Sequence, residues 1–267
     1  MNKISSIVGS LNIVTGCGSG LGRATLLRFL KNGCGAVLGI DRDFTEEFER
    51  NLNIEDELRG KLTLRRHNTF DEAVESSIEE FVTKYGHIDN LINVAGVSLA
   101  FQLYNEDKCR IYDYEHTKPL VDFNTVGTFN MIRKVAKLMI ERSASKDKLR
   151  NIINTSCLST TTPAAGQTFY AGSKAAIDSM TLCVARELAP FNIKCNTINV
   201  GYFDTPLLHS NDVRVAHYLA NEMTLCPKRL GDPEEFAHLV QVMVENPMLN
   251  GACVKLDGAA LCALQGF

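Results

Sequence analysis

Tyr170 and Lys174 stand four positions apart, a spacing that puts two side chains on one face of a helix, one turn from each other. An ammonium beside a phenol favours the phenolate and so lowers the phenol pKa. A phenol tuned in this way can give a proton to a carbonyl oxygen or take one from an alcohol. Tyr104 with Lys108 and Tyr114 with Lys118 share the spacing. Of the three, only Tyr170 follows a buried strand, Asn151 to Ser156, with a loop and a helix start between them.

A second chemical signature lies near the start. Gly16, Gly20 and Gly22 are spaced G-x-x-x-G-x-G, with Ser19 and Leu21 between them. Glycines there let a turn close and a backbone approach a pyrophosphate, while the N-terminus of the following helix offers unpaired N–H groups and positive potential. Asp41 ends the next apolar run, close to the ~20-residue offset expected of a carboxylate that binds the adenosine ribose hydroxyls. A carboxylate at that place repels a 2′-phosphate, which selects NAD over NADP. Arg23 and Arg42 argue the other way and read more simply as solvated surface arginines. A P-loop is excluded because the Lys-Ser/Thr pair is missing.

These residues need elements to hold them. Leu11–Thr15, Ala36–Ile40, Lys61–Arg66, Ile88–Val94, Asn151–Ser156, Ile193–Val200 and Ala252–Leu256 read as strands. Between them, helical patterns run from the glycine turn to about Asn32, and over Asp43–Leu58, Asp71–Tyr85, Lys118–Arg142 and Thr168–Leu188. Asp232 followed by Pro233 opens a last helix to Glu245. The alternation predicts an α/β fold, a doubly wound, mostly parallel Rossmann-type sheet with helices on both faces, as a single domain over residues 1–267. Gly201–Leu230, with Pro206 and Pro227, breaks the rhythm and reads as a mobile flap.

The chain of 267 residues is 45% hydrophobic and 22% charged, enough for one large core. A net charge of -3 gives no general attraction to nucleic acid. Nine cysteines, odd in number and with no C-x-x-C pair, argue against a zinc site and a disulfide framework, leaving no metal expected and a reducing compartment. No apolar run reaches the ~18 residues of a membrane span. The first acidic residue is Asp41, a start that leaves mitochondrial import open, with the cytoplasm as the alternative.

Thr15-Gly-Cys-Gly-Ser-Gly-Leu-Gly22, Asn93-Val-Ala-Gly96, Asn124 and Tyr170-x-x-x-Lys174, in this order, resemble the short-chain dehydrogenase/reductase family. Gly127-Thr-Phe-Asn-Met-Ile-Arg133, Thr205-Pro-Leu-Leu208, the run from Arg229 to Gln241, Glu245 to Gly251 and Leu256-Asp-Gly-Ala259 resemble that family's 3-hydroxyacyl-CoA and hydroxysteroid dehydrogenases. The resemblance implies a mitochondrial, homotetrameric NAD enzyme acting on an acyl-CoA or another small molecule. Relatives also serve in a mitochondrial tRNA-processing complex without using their chemistry, so a non-catalytic NAD-binding scaffold is the second reading. By matching positions, Tyr170 is the acid/base, Lys174 tunes it and holds the nicotinamide ribose, and Asn124 holds a relay water. Asn68, Thr69, Asn93, Ala95 and Gly96 line the adenosine side, and Thr205 reaches the carboxamide. Three positions depart from the pattern: Cys157 replaces the catalytic serine, Asn68 an aspartate near adenine, and Val200 the proline of a turn. The apolar stretch Ala259–Phe267 supplies a physical reason for the tetramer, since an interface would cover it.

Overall fold

The computed structural model describes residues 6–44, 48, 52, 54–106, 109–112, 114–143, 145, 147–210 and 213–261. Strand β1 (Leu11–Thr15) leads through the glycine turn into α1 (Gly20–Lys31), then β2 (Ala36–Asp41), β3 (Leu62–Arg66), α2 (Val74–Tyr85) and β4 (Asn90–Asn93). After these come α3 (Gly127–Glu141), β5 (Arg150–Cys157), α4 (Thr168–Leu188), β6 (Ile193–Val200), α5 (Pro233–Glu245) and β7 (Cys253–Leu256). The seven strands form one sheet in the order β3-β2-β1-β4-β5-β6-β7, every pair parallel. The chain winds outward from β1 through β2 to β3, then returns to the far side of β1 with β4. That reversal opens a crevice at the carboxyl ends of β1 and β4, the position at which such sheets bind ligands.

Alternation along the strands sorts the core into two layers. Leu11 and Ile13 of β1, Leu91 of β4 and Ile152 of β5 pack with Val74, Ile78 and Phe81 of α2 and with Met131, Val135 and Met139 of α3. Val14, Ile92 and Ile153 point the other way, against Leu26, Phe29 and Leu30 of α1 and Phe236, Val240 and Met243 of α5. Both faces of the central strands are therefore dry, as the near-continuous apolar runs in the sequence require.

One row on the α1/α5 side is polar. Asn12, Asn90 and Asn151 are register partners on β1, β4 and β5. Asn90 Nδ2 donates to Asn12 Oδ1 and Asn151 Nδ2 donates to Asn90 Oδ1, each at 2.7 Å. Three buried amides thus form a ladder through the sheet.

Several elements differ from expectation. The helix expected as one piece over Lys118–Arg142 begins with a helical turn at Lys118–Leu120, widens to a π-helix over Val121–Val126, and becomes α-helical only from Gly127. Part of the helix expected over Asp43–Leu58 lies outside the described residues, and Asp56–Arg59 is a single helical turn. A short antiparallel hairpin, Tyr104–Asn105 with Arg110–Ile111, was not expected. In Gly201–Leu230 the described chain forms helical turns at Pro206–His209 and Val213–Tyr218 and a π-turn at Leu219–Met223. This segment is pinned at its base, where Phe203 bridges Gly231, Cys226 N donates to Gly258 O (3.1 Å) and Leu261 N donates to Met223 O (2.8 Å).

Candidate active site

The glycine turn folds directly against the end of β4. A Cβ on Gly16 would stand 2.6 Å from the Ala95 nitrogen, and one on Gly22 2.1 Å from the Gly16 carbonyl oxygen. Only glycine fits at either place. Thr15 Oγ1 accepts from the backbone N–H groups of Val94 (3.1 Å) and Ala95 (3.2 Å), closing the same junction. At the end of β2, Asp41 Oδ2 accepts from Gly18 N (2.8 Å) and Oδ1 from Asp43 N (3.0 Å), which holds the carboxylate at the lip of the turn.

Between these parts lies a cleft of about 330 Å³. It is lined by ten of the predicted residues: Gly16, Ser19, Gly20, Leu21, Asp41, Asn68, Thr69, Ala95, Gly96 and Thr205. Gly22 and Asn93 do not line it. Gly22 is buried beneath the turn, and Asn93 lies in the sheet with its Nδ2 on Asn154 Oδ1 (3.0 Å). Asn93 thus ties β4 to β5 behind the cleft. The sequence reading missed Phe123, His67 and Leu207 on the cleft wall. Arg42 also lines it, but its guanidinium pairs with Asp43 (2.6 Å) and lies over the Phe123 ring at 5.0 Å.

The cleft fits the adenosine end of a dinucleotide. Asn68 Oδ1 is buried without a hydrogen-bond partner, an acceptor suited to an amine such as that of adenine. The glycine cradle leaves no Cβ in the path of a pyrophosphate.

Gly96 joins this cleft to the catalytic cluster, since a Cβ there would sit 3.1 Å from both Asn124 Oδ1 and Lys174 Nζ. Lys174 is 5% exposed, and its ammonium donates to Thr155 O at 3.2 Å. Cys157, the last residue of β5, accepts through Sγ from Ser159 N (3.5 Å). The electrostatics differ from the sequence expectation. Burial, and after it the Cys157 charge and hydrogen bond, push the Tyr170 phenol well above its usual range. Lys174 is lowered by burial, against which Cys157 and Asp178 act. Desolvation therefore outweighs the charge effect that helical spacing alone suggests.

Asn124 is held by three hydrogen bonds. Its Oδ1 accepts from Val97 N (2.8 Å), and its Nδ2 donates to Val97 O and Ser173 Oγ, both at 3.0 Å. Both amide hydrogens are engaged, so this side chain locks the loop after β4 to α4, and the acceptor left for a water is the second lone pair of Oδ1. The π-turn carries Asn124 into this position, fully buried. Neither neighbouring serine replaces a hydroxyl at 157 by an evident contact: Ser156 Oγ donates to Lys174 O (3.1 Å), and Ser159 Oγ is buried without a partner.

Among the described residues no cluster of three or more His, Cys, Asp or Glu side chains could hold a metal, and no helix is long and apolar enough to cross a membrane.

Residues 11–215 match the short chain dehydrogenase family. The 3-hydroxyacyl-CoA dehydrogenase type-2 of Rattus norvegicus is 37% identical over 258 residues, spanning 96% of this chain and 97% of that protein. The protein of the same name from Homo sapiens is 37% identical over 256 residues, 95% of this chain and 96% of its own. Among solved structures, the 3-hydroxyacyl-CoA dehydrogenase type-2 of Mycobacterium avium superposes with a TM-score of 0.85 at 28% identity, covering 96% of this chain and 98% of that one. A 3-ketoacyl-(acyl-carrier-protein) reductase of Brucella melitensis complexed with NADH gives 0.78 at 25% identity, covering 95% and 98%. The family match and the near full-length relatives show that the chain belongs to the short chain dehydrogenase family of oxidoreductases.

Proposed function

We propose that the chain is an NAD-dependent dehydrogenase that interconverts a secondary alcohol and a ketone on a 3-hydroxyacyl-CoA or hydroxysteroid substrate. The observation that carries this reading is the junction at Gly96, where the nucleotide cleft meets Lys174 and Asn124. The two 3-hydroxyacyl-CoA dehydrogenases type-2 that match nearly the whole chain support the acyl-CoA class. A nicotinamide cofactor, when bound, supplies or accepts the hydride. Asn68, Thr69, Ala95 and the glycine turn would hold its adenosine and pyrophosphate, and Thr205, which lies by Gly20, would bind it as well. Tyr170 keeps a proton on its phenol and delivers it to the carbonyl oxygen, while the Cys157 thiol donates to the same oxygen as a weak second donor. Gly201–Leu230, anchored at its base, closes over the substrate and excludes water. Asp41 selects NAD because its carboxylate repels a 2′-phosphate.

Purified protein with acetoacetyl-CoA and NADH tests the reading. NADH consumption supports it, and NADPH should bind far more weakly. Equal binding of the two cofactors would mean that Arg42 or Arg23 overrides Asp41.

A second reading is favoured by one observation, the thiol in place of a hydroxyl at 157. In it the chain keeps NAD and its assembly but works as a scaffold for partners such as mitochondrial tRNA-processing proteins. NADH binding without turnover by either the parent or Cys157→Ser would select it. Mitochondrial location is part of both readings and is tested by a fluorescent fusion.

A further inference from the structure

We infer that Asn199, next to last on β6, is a positioning residue whose amide clamps the turn after Cys157 to α4 and so sets where the Cys157 thiol stands relative to Tyr170. The inference deepens the dehydrogenase reading and rests on it, because that reading asks both side chains to reach one carbonyl oxygen from different elements.

Asn199 is 3% exposed, so its two amide hydrogens need partners inside the protein. Nδ2 donates to Asp178 Oδ2 at 2.7 Å and to Thr160 Oγ1 at 3.0 Å. The first arm ends on α4, on the stripe that carries Tyr170, Lys174 and Asp178 at successive turns. The second ends on Leu158–Thr160, the one-turn helix that follows Cys157. That turn closes on itself through Thr161 N and Thr162 N, which both donate to Leu158 O at 3.1 Å, and folds back on the strand through Ser159 N on Cys157 Sγ at 3.5 Å. Those bonds stay within residues 157–162. The bond to Asn199 ties the turn to β6 and, through Asp178, to the helix of the acid/base.

The strand is tied to the same helix just before Cys157. Ser156 is the register partner of Asn199, and its Oγ donates to the Lys174 carbonyl at 3.1 Å. Cys157 is thus bracketed, with Ser156 bonded to α4 on one side and Thr160 linked to it through Asn199 on the other. A carboxylate accepts and cannot donate when ionised, so Asp178 also fixes which way the amide points: nitrogen toward α4. A shift of the turn would carry Ser159 N with it, and that N–H holds the sulfur.

Reversing the polarity of the clamp separates positioning from packing. Asn199→Asp sets two carboxylates against each other and should release the turn. Asn199→Asp combined with Asp178→Asn restores a donor on α4 and lets the Thr160 hydroxyl donate to position 199. Three readouts are followed in wild type, the single variant and the exchanged pair: kcat for reduction of acetoacetyl-CoA, NADH binding by fluorescence, and the rate at which iodoacetamide labels Cys157, read on its peptide by mass spectrometry. Asn199→Asp should lower kcat on the order of 10-fold and speed the labelling, and the exchanged pair should return both toward wild type. NADH binding should hold in all three, because among the described residues none of β5, α4 or β6 lines the cofactor cleft. The inference is overturned if Asn199→Asp leaves kcat and labelling unchanged, if the exchange fails to restore them, or if NADH binding falls in step with kcat, since each outcome reduces Asn199 to packing. Should Asn199→Asp fail to fold, Thr160→Val cuts the arm to the turn alone, and unchanged kcat and labelling there overturn the inference equally. A wild type that binds NADH without turnover defeats the dehydrogenase reading alone, because labelling of Cys157 still reports the clamp.

Discussion

Cys157 ends β5 with its sulfur on the Ser159 N–H and is among the groups that raise the Tyr170 phenol, a poor donor acting on a good one. Removing one good oxyanion donor costs ~2.7 to 4 kcal/mol in transition-state stabilisation. Exchanging a hydroxyl for a thiol forfeits part of that, on the order of 10- to 100-fold in rate. Cys157→Ser is therefore expected to raise kcat for reduction of a 3-ketoacyl-CoA, and Tyr170→Phe to abolish turnover while NADH fluorescence still reports binding. An unchanged kcat in an active Cys157→Ser enzyme would assign the second donor to another group, Ser159 among them. The raised phenol has its own consequence for pH. Tyr170 stays protonated through neutrality, so ketone reduction should hold up there, whereas alcohol oxidation, which needs the phenolate, should rise as the medium is made alkaline. Initial rates in both directions from neutral to alkaline pH check this, and a reduction rate that already falls below neutrality would contradict it. The sequence shows the Tyr170–Lys174 pair because helical spacing is a local property. It does not show the phenol's tuning, which depends on burial and on Cys157 arriving from another element. The commitment of Asn124 to Val97 and Ser173 is hidden for the same reason.

At the scale of elements, signals written in adjacent residues were legible and signals of shape were not. Asp232-Pro-Glu-Glu announces the start of α5, and the structure closes a capping box there: Asp232 Oδ1 accepts from Glu234 N (2.8 Å), while Glu235 accepts from Asp232 N (2.8 Å). Asp232→Ala should cost about 1 kcal/mol, read as a lower midpoint in urea. The pairing also predicts an acid dependence. Arg229, and after it the Asp232 N–H, bring the Glu235 carboxyl down to about 2 from a usual 4.5. A depressed carboxylate contributes stability above its unfolded value that is lost as the pH falls between those two values. Glu235→Gln should flatten that part of the stability profile, and an unchanged acid limb would show that the pair adds nothing. The π-turn at Val121–Val126 offered no such signal, because one extra residue per turn barely disturbs an apolar period. The Tyr104–Ile111 hairpin was equally silent: its two-residue strands are too short to alternate visibly.

For the whole molecule, the sheet order follows from the alternation of strands and helices, while assembly depends on surfaces that sequence periodicity does not rank. Val126 and Phe129, on the helix that contains α3, and Leu182 on α4 are exposed, and the two helices are joined through Thr125 Oγ1 donating to Ser173 O (3.0 Å). Apolar side chains left out on neighbouring helices fit a face covered by a second copy. Phe129→Asp is expected to shift the sedimentation profile to a smaller species, and an unshifted profile would remove this face from the assembly. The other proposed contact, the tail from Ala259, lies outside the described residues beyond Leu261, which is itself bonded to the flap at Met223 and Tyr202. Deleting 261–267 should therefore loosen the flap's base as well as weaken assembly.

The ladder of Asn12, Asn90 and Asn151 has a consequence for how the strands find their partners. Parallel strands that are apolar on both faces can slide by two residues and still match oil to oil. A slide of that size across β4 would break both amide–amide bonds and leave the Asn90 amide unpaired in the core, at a cost of about 1–3 kcal/mol for each unsatisfied group. The amides act as an address label that only the native alignment can read, so they should be lost together or not at all. Asn90→Leu alone ought to be more damaging in a urea titration than the same change made at all three positions, an inversion that purely additive contributions cannot produce.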